Sequence, residues 1–449
     1  RLVSFGALET SKGIPNHTPI EGLQINELLL TPGTPLGQAI ELFNSGVNAL
    51  DISDWTIGSE RTSLNAFRLP TGTIVQPGAF AVLHESMWLP SEVAHSSDWI
   101  VSESERIYLS EVNAPGNATG RRLSIPVLPT YSNESFGNVE FSHGEGLARL
   151  DTPTFGVSIL EPLEAFQGGT GEPNAMPWLG PLIVSELLID SHASGIELPT
   201  VLDGVEFIEI YNRSSERMTL SSSESNLFGW RIAGGVSYHF ESDVTLEPMQ
   251  VLLLVNYDPN TEPMKTQALQ QNWGLPLDVP VLGPFDGRLD NVGDRVRLQQ
   301  LAKLPKSLAG QREAESLGWI DEDRIDYQSN GFWAIPPQNE NTSLMRLGQD
   351  SFGNDPANWY YASPTPGRFG KGGRPNPTSG LIQSLSFSEG QVILLIATQT
   401  GINHTVQFSN SLNPADWKTF ETLMGTGKSE PVIDSSPVND TRFYRLLLE

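Results

Sequence analysis

The strongest constraint on this chain is that it says one thing twice. Residues 23–44 contain "LQINELLLTP" followed by "AIELFN", and residues 182–212 contain "LIVSELLIDS" followed by "FIEIYN". Each version carries a glutamate in an apolar run (Glu27, Glu186) and a second glutamate inside an I-E-[LI]-[FY]-N run (Glu41, Glu209). Each then reaches a tryptophan ahead of an aliphatic segment, Trp55 and Trp230. The likeness continues in "FRLPTGTIVQPGAFAVLHES" against "YHFESDVTLEPMQVLLLVNYD", with turns at Pro77 and Pro248, and in "ERIYLSEV" against "DRVRLQQL". The tails "GLARLDTPTFG" and "SLMRLGQDSFG" put Arg149 opposite Arg346. A repeat of roughly 160–180 residues is too long for a solenoid unit and fits a duplicated domain.

Within each copy the runs are short, alternating or wholly apolar, and broken by turn residues. Glycine (42) and proline (33) supply the punctuation. This pattern predicts antiparallel sandwiches. Only "EPMKTQALQQNWG" (Glu262–Gly274) reads as a helix, because it has good helix formers and no β-branched run. The expected organisation is an N-terminal segment (1–22) that closes a preceding repeat, sandwich 1 (23–160), a linker (161–180) and sandwich 2 (181–369). A Gly/Pro-rich linker (370–380) and a small C-terminal β-sandwich (381–449) follow. The abrupt start "RLVSFGALETSKG" reads as a piece of something longer.

These residues carry a resemblance. The order "INE" or "VSE", I-E-[LI]-[FY]-N, a W-x-[IL] strand and a proline turn before an apolar strand resembles the lamin-tail domain, an immunoglobulin-like β-sandwich. "GPFDGRLDNVGDRVRLQQL" and the stretch from "DRIDYQSNGFW" to "SPTPGRFG" look like the closing half of bacterial lamin-tail domains. The last unit, through "VQFSNSLNPADWKTF" and "RFYRL", is similar to small fibronectin-like or immunoglobulin-like C-terminal sandwiches of large secreted bacterial proteins. The resemblance implies an all-β chain of two lamin-tail-like sandwiches plus a smaller one. It also implies a domain without catalytic activity of its own, used for attachment or interaction.

The chemistry is sparse. There is no cysteine, so disulfides, thiolate metal sites and a cysteine nucleophile are excluded. The net charge of −26 repels nucleic acid and anionic lipid. No apolar run approaches the roughly 18 residues of a membrane span. The paired glutamates could do acid/base work, but strand-end glutamates more commonly satisfy backbone donors or pair with an arginine such as Arg149 or Arg346. Asp286, Asp290 and Asp294 offer oxygen ligands on a glycine-bearing loop that suits calcium, as does the run Asp321, Glu322, Asp323 and Asp326. Otherwise no cofactor is expected. Trp178, Trp273, Trp333 and Trp359 lie near predicted turns and are the candidates for an exposed, sugar-stacking platform, whereas Trp55 and Trp230 read as core. Sequons stand at Asn16, Asn117, Asn133, Asn212, Asn341, Asn403 and Asn439.

The expectation is therefore a non-enzymatic structural or adhesive segment of a larger secreted or cell-surface protein. Its partners would be proteins or glycans, self-association is included, and neither nucleic acid nor membrane insertion is expected. The competing expectation is a carbohydrate-binding or accessory region of a larger secreted enzyme.

Overall fold

The computed structural model describes residues 20–30, 38–58, 67–84, 106–113, 118–156, 170–189, 199–220, 229–240, 244–303, 317–329, 331–336, 341–369, 382–388, 391–398, 403–410, 417–426, 429–435 and 442–448. They form two compact units, one within 1–139, 147–178 and 302–318, the other within 140–146, 179–301 and 319–449.

The first strands are β1 (Leu23–Leu29), β2 (Ala39–Asn44), β3 (Leu50–Asp51), β4 (Thr56–Gly58), β5 (Phe67–Arg68), β6 (Ile74–Val75), β7 (Phe80–His84), β8 (Arg106–Val112), β9 (Ala118–Pro126), β10 (Phe136–Phe141) and β11 (Gly144–Arg149). They make a five-stranded sheet ordered β11-β10-β1-β2-β7, a four-stranded sheet β5-β4-β8-β9 and the small pair β3-β6. Alternation sets the faces. Ile40 and Leu42 are buried, as are Ile57, Ile107 and Leu109 of the four-stranded sheet and Trp55 just ahead of β4, while Glu41 points to the other side of β2.

Next come β12 (Leu182–Leu188), β13 (Phe207–Asn212), β14 (Met218–Leu220), β15 (Trp230–Gly234), β16 (Val236–His239), β17 (Val244–Leu246), β18 (Val251–Val255), helix α1 (Pro263–Trp273), β19 (Val281–Leu282), β20 (Asp286–Gly287), β21 (Gly293–Lys303), β22 (Leu317–Gln328), β23 (Ser343–Arg346) and β24 (Trp359–Ala362). The sheets β19-β18-β13-β12-β23-β24 and β20-β16-β15-β21-β22 share one core. Leu182, Val184, Ile208, Ile210 and Leu254 of the first meet Trp230, Ile232, Val296, Leu298 and Ile325 of the second. The other face of the six-stranded sheet is covered as well: α1 lays Ala268 and Leu269 against Leu188, Phe207, Leu253 and Val255. The expected helix thus forms, with Pro263 in its first turn and left-handed Gly274 (φ 67) at its end.

The last strands, β25 (Ile382–Ser388), β26 (Gln391–Ala397), β27 (Asn403–Ser409), β28 (Lys418–Met424), β29 (Ser429–Asp434) and β30 (Phe443–Leu448), pair as β25-β26-β29 and β28-β27-β30. Val392, Leu394, Ile396, Val406, Val432 and Leu446 form their common core.

The repeated phrase has one register. Glu27 stands opposite Glu41 and Glu186 opposite Glu209, and each first strand has a bulge just before its glutamate, between Ile25 and Glu27 and between Val184 and Glu186. The neighbouring strand corrects the expected alignment of the tails. β10 pairs with β1 through Glu27↔Gly137, and β23 with β12 through Glu186↔Met345. Ser135 and Asn138 therefore correspond to Ser343 and Arg346, and Arg149, on the outer strand β11, does not correspond to Arg346. Function follows register: Asn138 Nδ2 donates to Ile25 O at 2.7 Å and Arg346 Nη1 to Val184 O at 2.8 Å, the carbonyl ahead of the bulge in both cases.

Candidate functional site

The two glutamate pairs are buried carboxyls on adjacent strands. They are 0 % exposed for Glu27 and Glu41, and 2 % and 1 % for Glu186 and Glu209. They do not end strands, as expected, but sit inside them. The bulge explains the local geometry, because an extra residue aims two consecutive side chains at one opposing residue. Asn26 Nδ2 donates to Glu41 Oε1, and Ser185 Oγ to Glu209 Oε1, both at 2.7 Å.

The first glutamate of each pair grips chain returning from far downstream. Thr154 N donates to both oxygens of Glu27 at 3.0 and 3.1 Å, and Thr154 Oγ1 lies 2.5 Å from Oε2. Thr365 N and Oγ1 reach Glu186 at 3.0 and 3.1 Å, and Ser343 Oγ adds a contact of 2.5 Å. Both threonines belong to a P-T-x-G string, Pro153–Gly156 and Pro364–Gly367. The second glutamate accepts from the backbone after a glycine turn or within it: Glu172 N to Glu41 at 3.3 Å, Gly367 N to Glu209 at 2.6 Å. Gly171 (φ 77) must be glycine, since a Cβ there would lie 2.5 Å from Glu41 Oε2 and from Phe80 Cβ.

These contacts revise the reading of the linkers. Residues 170–178 pack onto their own unit: Asn174 Nδ2 donates to Asn26 O (2.9 Å) and Asn138 O (2.7 Å), and Trp178 N donates to Arg149 O (2.8 Å). Of the second linker, residues 370–380 lie outside the described residues, but just ahead of it Phe369 stacks on Tyr211 with ring centroids 4.5 Å apart.

Burial raises the pKa of all four glutamates. It pushes Glu41 up to about 8, against hydrogen bonding from Asn26 and with help from the Glu27 charge. Glu27 rises for the same reason, opposed by its hydrogen bonds. Glu186 and Glu209 are raised by burial, and Glu209 further by the charge of Glu186. In the first pair Glu27 takes more hydrogen bonds from the returning chain than Glu41 does, which favours the proton on Glu41; in the second pair the charge of Glu186 raises Glu209 and favours the proton there. Among the described residues no arginine is paired with either set of glutamates. Arg149 forks onto Glu134 (3.1–2.8 Å), between Tyr131 and Trp178. Arg346 is bidentate on Asp323 at 2.6 and 2.9 Å. A raised carboxylate is what acid/base chemistry needs, but these are sealed, and most of their oxygens hold protein donors.

The remaining predicted residues fall apart as sites. Asp290 and Asp294 accept turn amides, from Val292 N and Arg295 N at 2.7 Å each, and Asp286 lies in the short strand β20. In the second acidic run, Asp323 holds Arg346, Asp326 holds Arg295 and Arg324, and Asp321 accepts from Gln299 Nε2. Among the described residues no group of three or more acidic or histidine side chains could hold a metal ion. Trp333 and Trp359 are 8 % and 3 % exposed and pack in the core of the second unit, Trp359 donating to Gly353 O at 2.7 Å. They are not a platform, because turn-like flanks do not report burial. Trp273 packs half-buried against the α1 cluster, and Trp178 is half-buried beside Arg149.

Asn212 is fully buried and cannot meet a glycosyl donor: its Nδ2 donates to Glu216 O, Leu246 O and Glu247 O, and its Oδ1 accepts from Ser214. Asn44, its counterpart, holds Asn48 O, Val75 O and Gly46 N in the same way. Asn341 is also buried. Asn133 is exposed in a turn (φ 66) and Asn403 is half-buried at the start of β27; Asn16, Asn117 and Asn439 lie outside the described residues.

Sequence reasoning found the glutamates and missed Asn26, Ser185, Thr154, Thr365, Asn174 and the asparagine clamps. The P-T-x-G strings were the available signal. No curated protein and no solved structure matches the chain. The family model of the Lamin Tail Domain matches residues 16–119, a stretch that takes in the first glutamate pair, the Asn44 clamp and the Pro77–Gly78 turn.

Proposed function

We propose that this chain is a non-enzymatic structural or adhesive segment of a larger secreted or cell-surface protein, with two lamin-tail-like sandwiches in tandem and a small C-terminal one. The observation that carries this reading is the fate of the paired carboxylates. The groups best placed by type for acid/base catalysis are spent on holding chain to sheet, twice, in one geometry. Such a device is mechanical: it fixes the outer face of a sandwich and leaves sheet edges and loops as the surfaces for protein or glycan partners. A carbohydrate platform has less support, since two of its four tryptophans are core.

The test is light scattering coupled to size exclusion across a wide concentration range, with and without calcium. Growth with concentration supports a self-assembling segment. A monodisperse monomer of 49.1 kDa in both conditions removes self-assembly and calcium together and leaves adhesion to other partners, read by glycan and protein arrays. Turnover of any substrate that is lost in a folded Glu186→Gln variant would overturn the non-enzymatic reading.

A further inference from the structure

We propose that each glutamate pair is a proton-dependent clasp: the closing residues, 154–156 and 170–174 in the first unit and 365–369 in the second, stay fastened to the outer face of their sheet while the pair keeps one proton, and are released when that proton is lost. The inference rests first on geometry. Glu27 and Glu41 are register partners on adjacent strands, as are Glu186 and Glu209, so two ionised carboxylates would face each other without water.

Among the described residues, the groups that face them supply no positive charge. On the far side Glu41 has Val82 and Glu209 has Leu253. The third strand offers Ser135 and Gly137, or Ser343 and Met345. From the closing segment come Thr154, Asn174 and another acid, Glu172, whose charge opposes ionisation of both Glu27 and Glu41. In the second unit come Thr365, Gly367 and the backbone of Arg368. Among the described residues the buried arginines Arg149 and Arg346 are committed to Glu134 and Asp323.

The geometry also says what would move. Every closing-segment contact with the second glutamate is a backbone N–H, which no side-chain rearrangement can replace. Release would uncover Leu29, Ala39 and Val82 beneath Phe155, and Tyr211 beneath Phe369. Raised carboxylates fix the sign: the clasp is tight in mild acid and loosens as pH climbs through about 8, the value of Glu41.

Hydrogen exchange on the intact chain tests this, with rates corrected for the pH dependence of intrinsic exchange. The amides of Thr154, Glu172, Thr365 and Gly367 are compared with those of Ile208 and Leu254, between pH 6 and pH 9. The expected result is a fall of about tenfold or more in protection of the closing amides, reaching exposure while the sheet amides remain protected. A Glu41→Gln/Glu209→Gln variant, which leaves each pair a single carboxyl and no like charge opposite it, is expected to flatten the change. Closing amides that stay as protected as Ile208 and Leu254 throughout, or a folded variant that keeps the wild-type pH dependence, would overturn the proposal. Should the variant not fold, the wild-type comparison decides by itself.

Discussion

At the scale of the residue, the duplicated turn before the apolar strand shows what a single side chain costs. Gln76–Ala79 and Glu247–Gln250 close with hydrogen bonds of 3.1 and 3.0 Å, and the third position of each is left-handed. In the first turn that residue is Gly78 (φ 69); in the second it is Met249 (φ 62). Such a turn wants glycine there, because a Cβ crowds the neighbouring carbonyl. Met249 is 73 % exposed, so little packing offsets its strain. Met249→Gly is expected to stabilise the second unit by up to about 1 kcal/mol, the relief of strain being reduced by the extra freedom of glycine in the unfolded chain. Gly78→Met is expected to cost about 1–2 kcal/mol in the first unit. Urea midpoints at unchanged slope check both.

At the scale of the element, the last residue of I-E-[LI]-[FY]-N ties its strand to two loops. Asn212 spends one amide group on three carbonyls and a serine, in the interior. Asn212→Ala is expected to destabilise by about 2–4 kcal/mol, because it leaves buried carbonyls without donors. Asn212→Asp should do no better, since a carboxylate has no N–H to give. Near-wild-type denaturation midpoints in both variants would refute the clamp. This element also shows what a reader of the sequence could and could not see. The sandwich strands, their alternation and the helix Pro263–Trp273 were legible, because periodicity and turn residues are local. The sequon at Asn212 was misleading, because N-x-S carries no information about burial. Arg149 and Arg346 were matched by letter, through R-L, while pairing register set Arg346 against Asn138. The partners of Glu27 and Glu186 stand 127 and 179 residues downstream, at Thr154 and Thr365, beyond the reach of any local pattern.

At the scale of the whole molecule, two electrostatic burdens act in the same direction and can be separated. The chain carries a formal charge of −26, whose self-repulsion favours expansion. It also buries four glutamates with raised pKa values. A carboxyl held protonated in the folded state but ionised in the unfolded one stabilises fully below about pH 4.5, and its contribution is lost as pH rises through the folded value. Stability should therefore decline between about pH 5 and 8, by at most about 1.4 kcal/mol per pH unit for each such group. Surface repulsion is screened once salt brings the Debye length from about 10 Å at 0.1 M to about 3 Å at 1 M, whereas pairs shut away from solvent hardly sense it. Added salt is thus expected to lift stability more at pH 8, where the surface is strongly acidic, than at pH 5, close to the pI of about 4.6, and so to shrink the decline between them without removing it. Glu41→Gln with Glu209→Gln should remove much of the decline and leave the salt response. Denaturant titrations over that grid of pH and salt decide the matter: a wild-type decline that vanishes in high salt would place its origin on the acidic surface and take it away from the buried pairs.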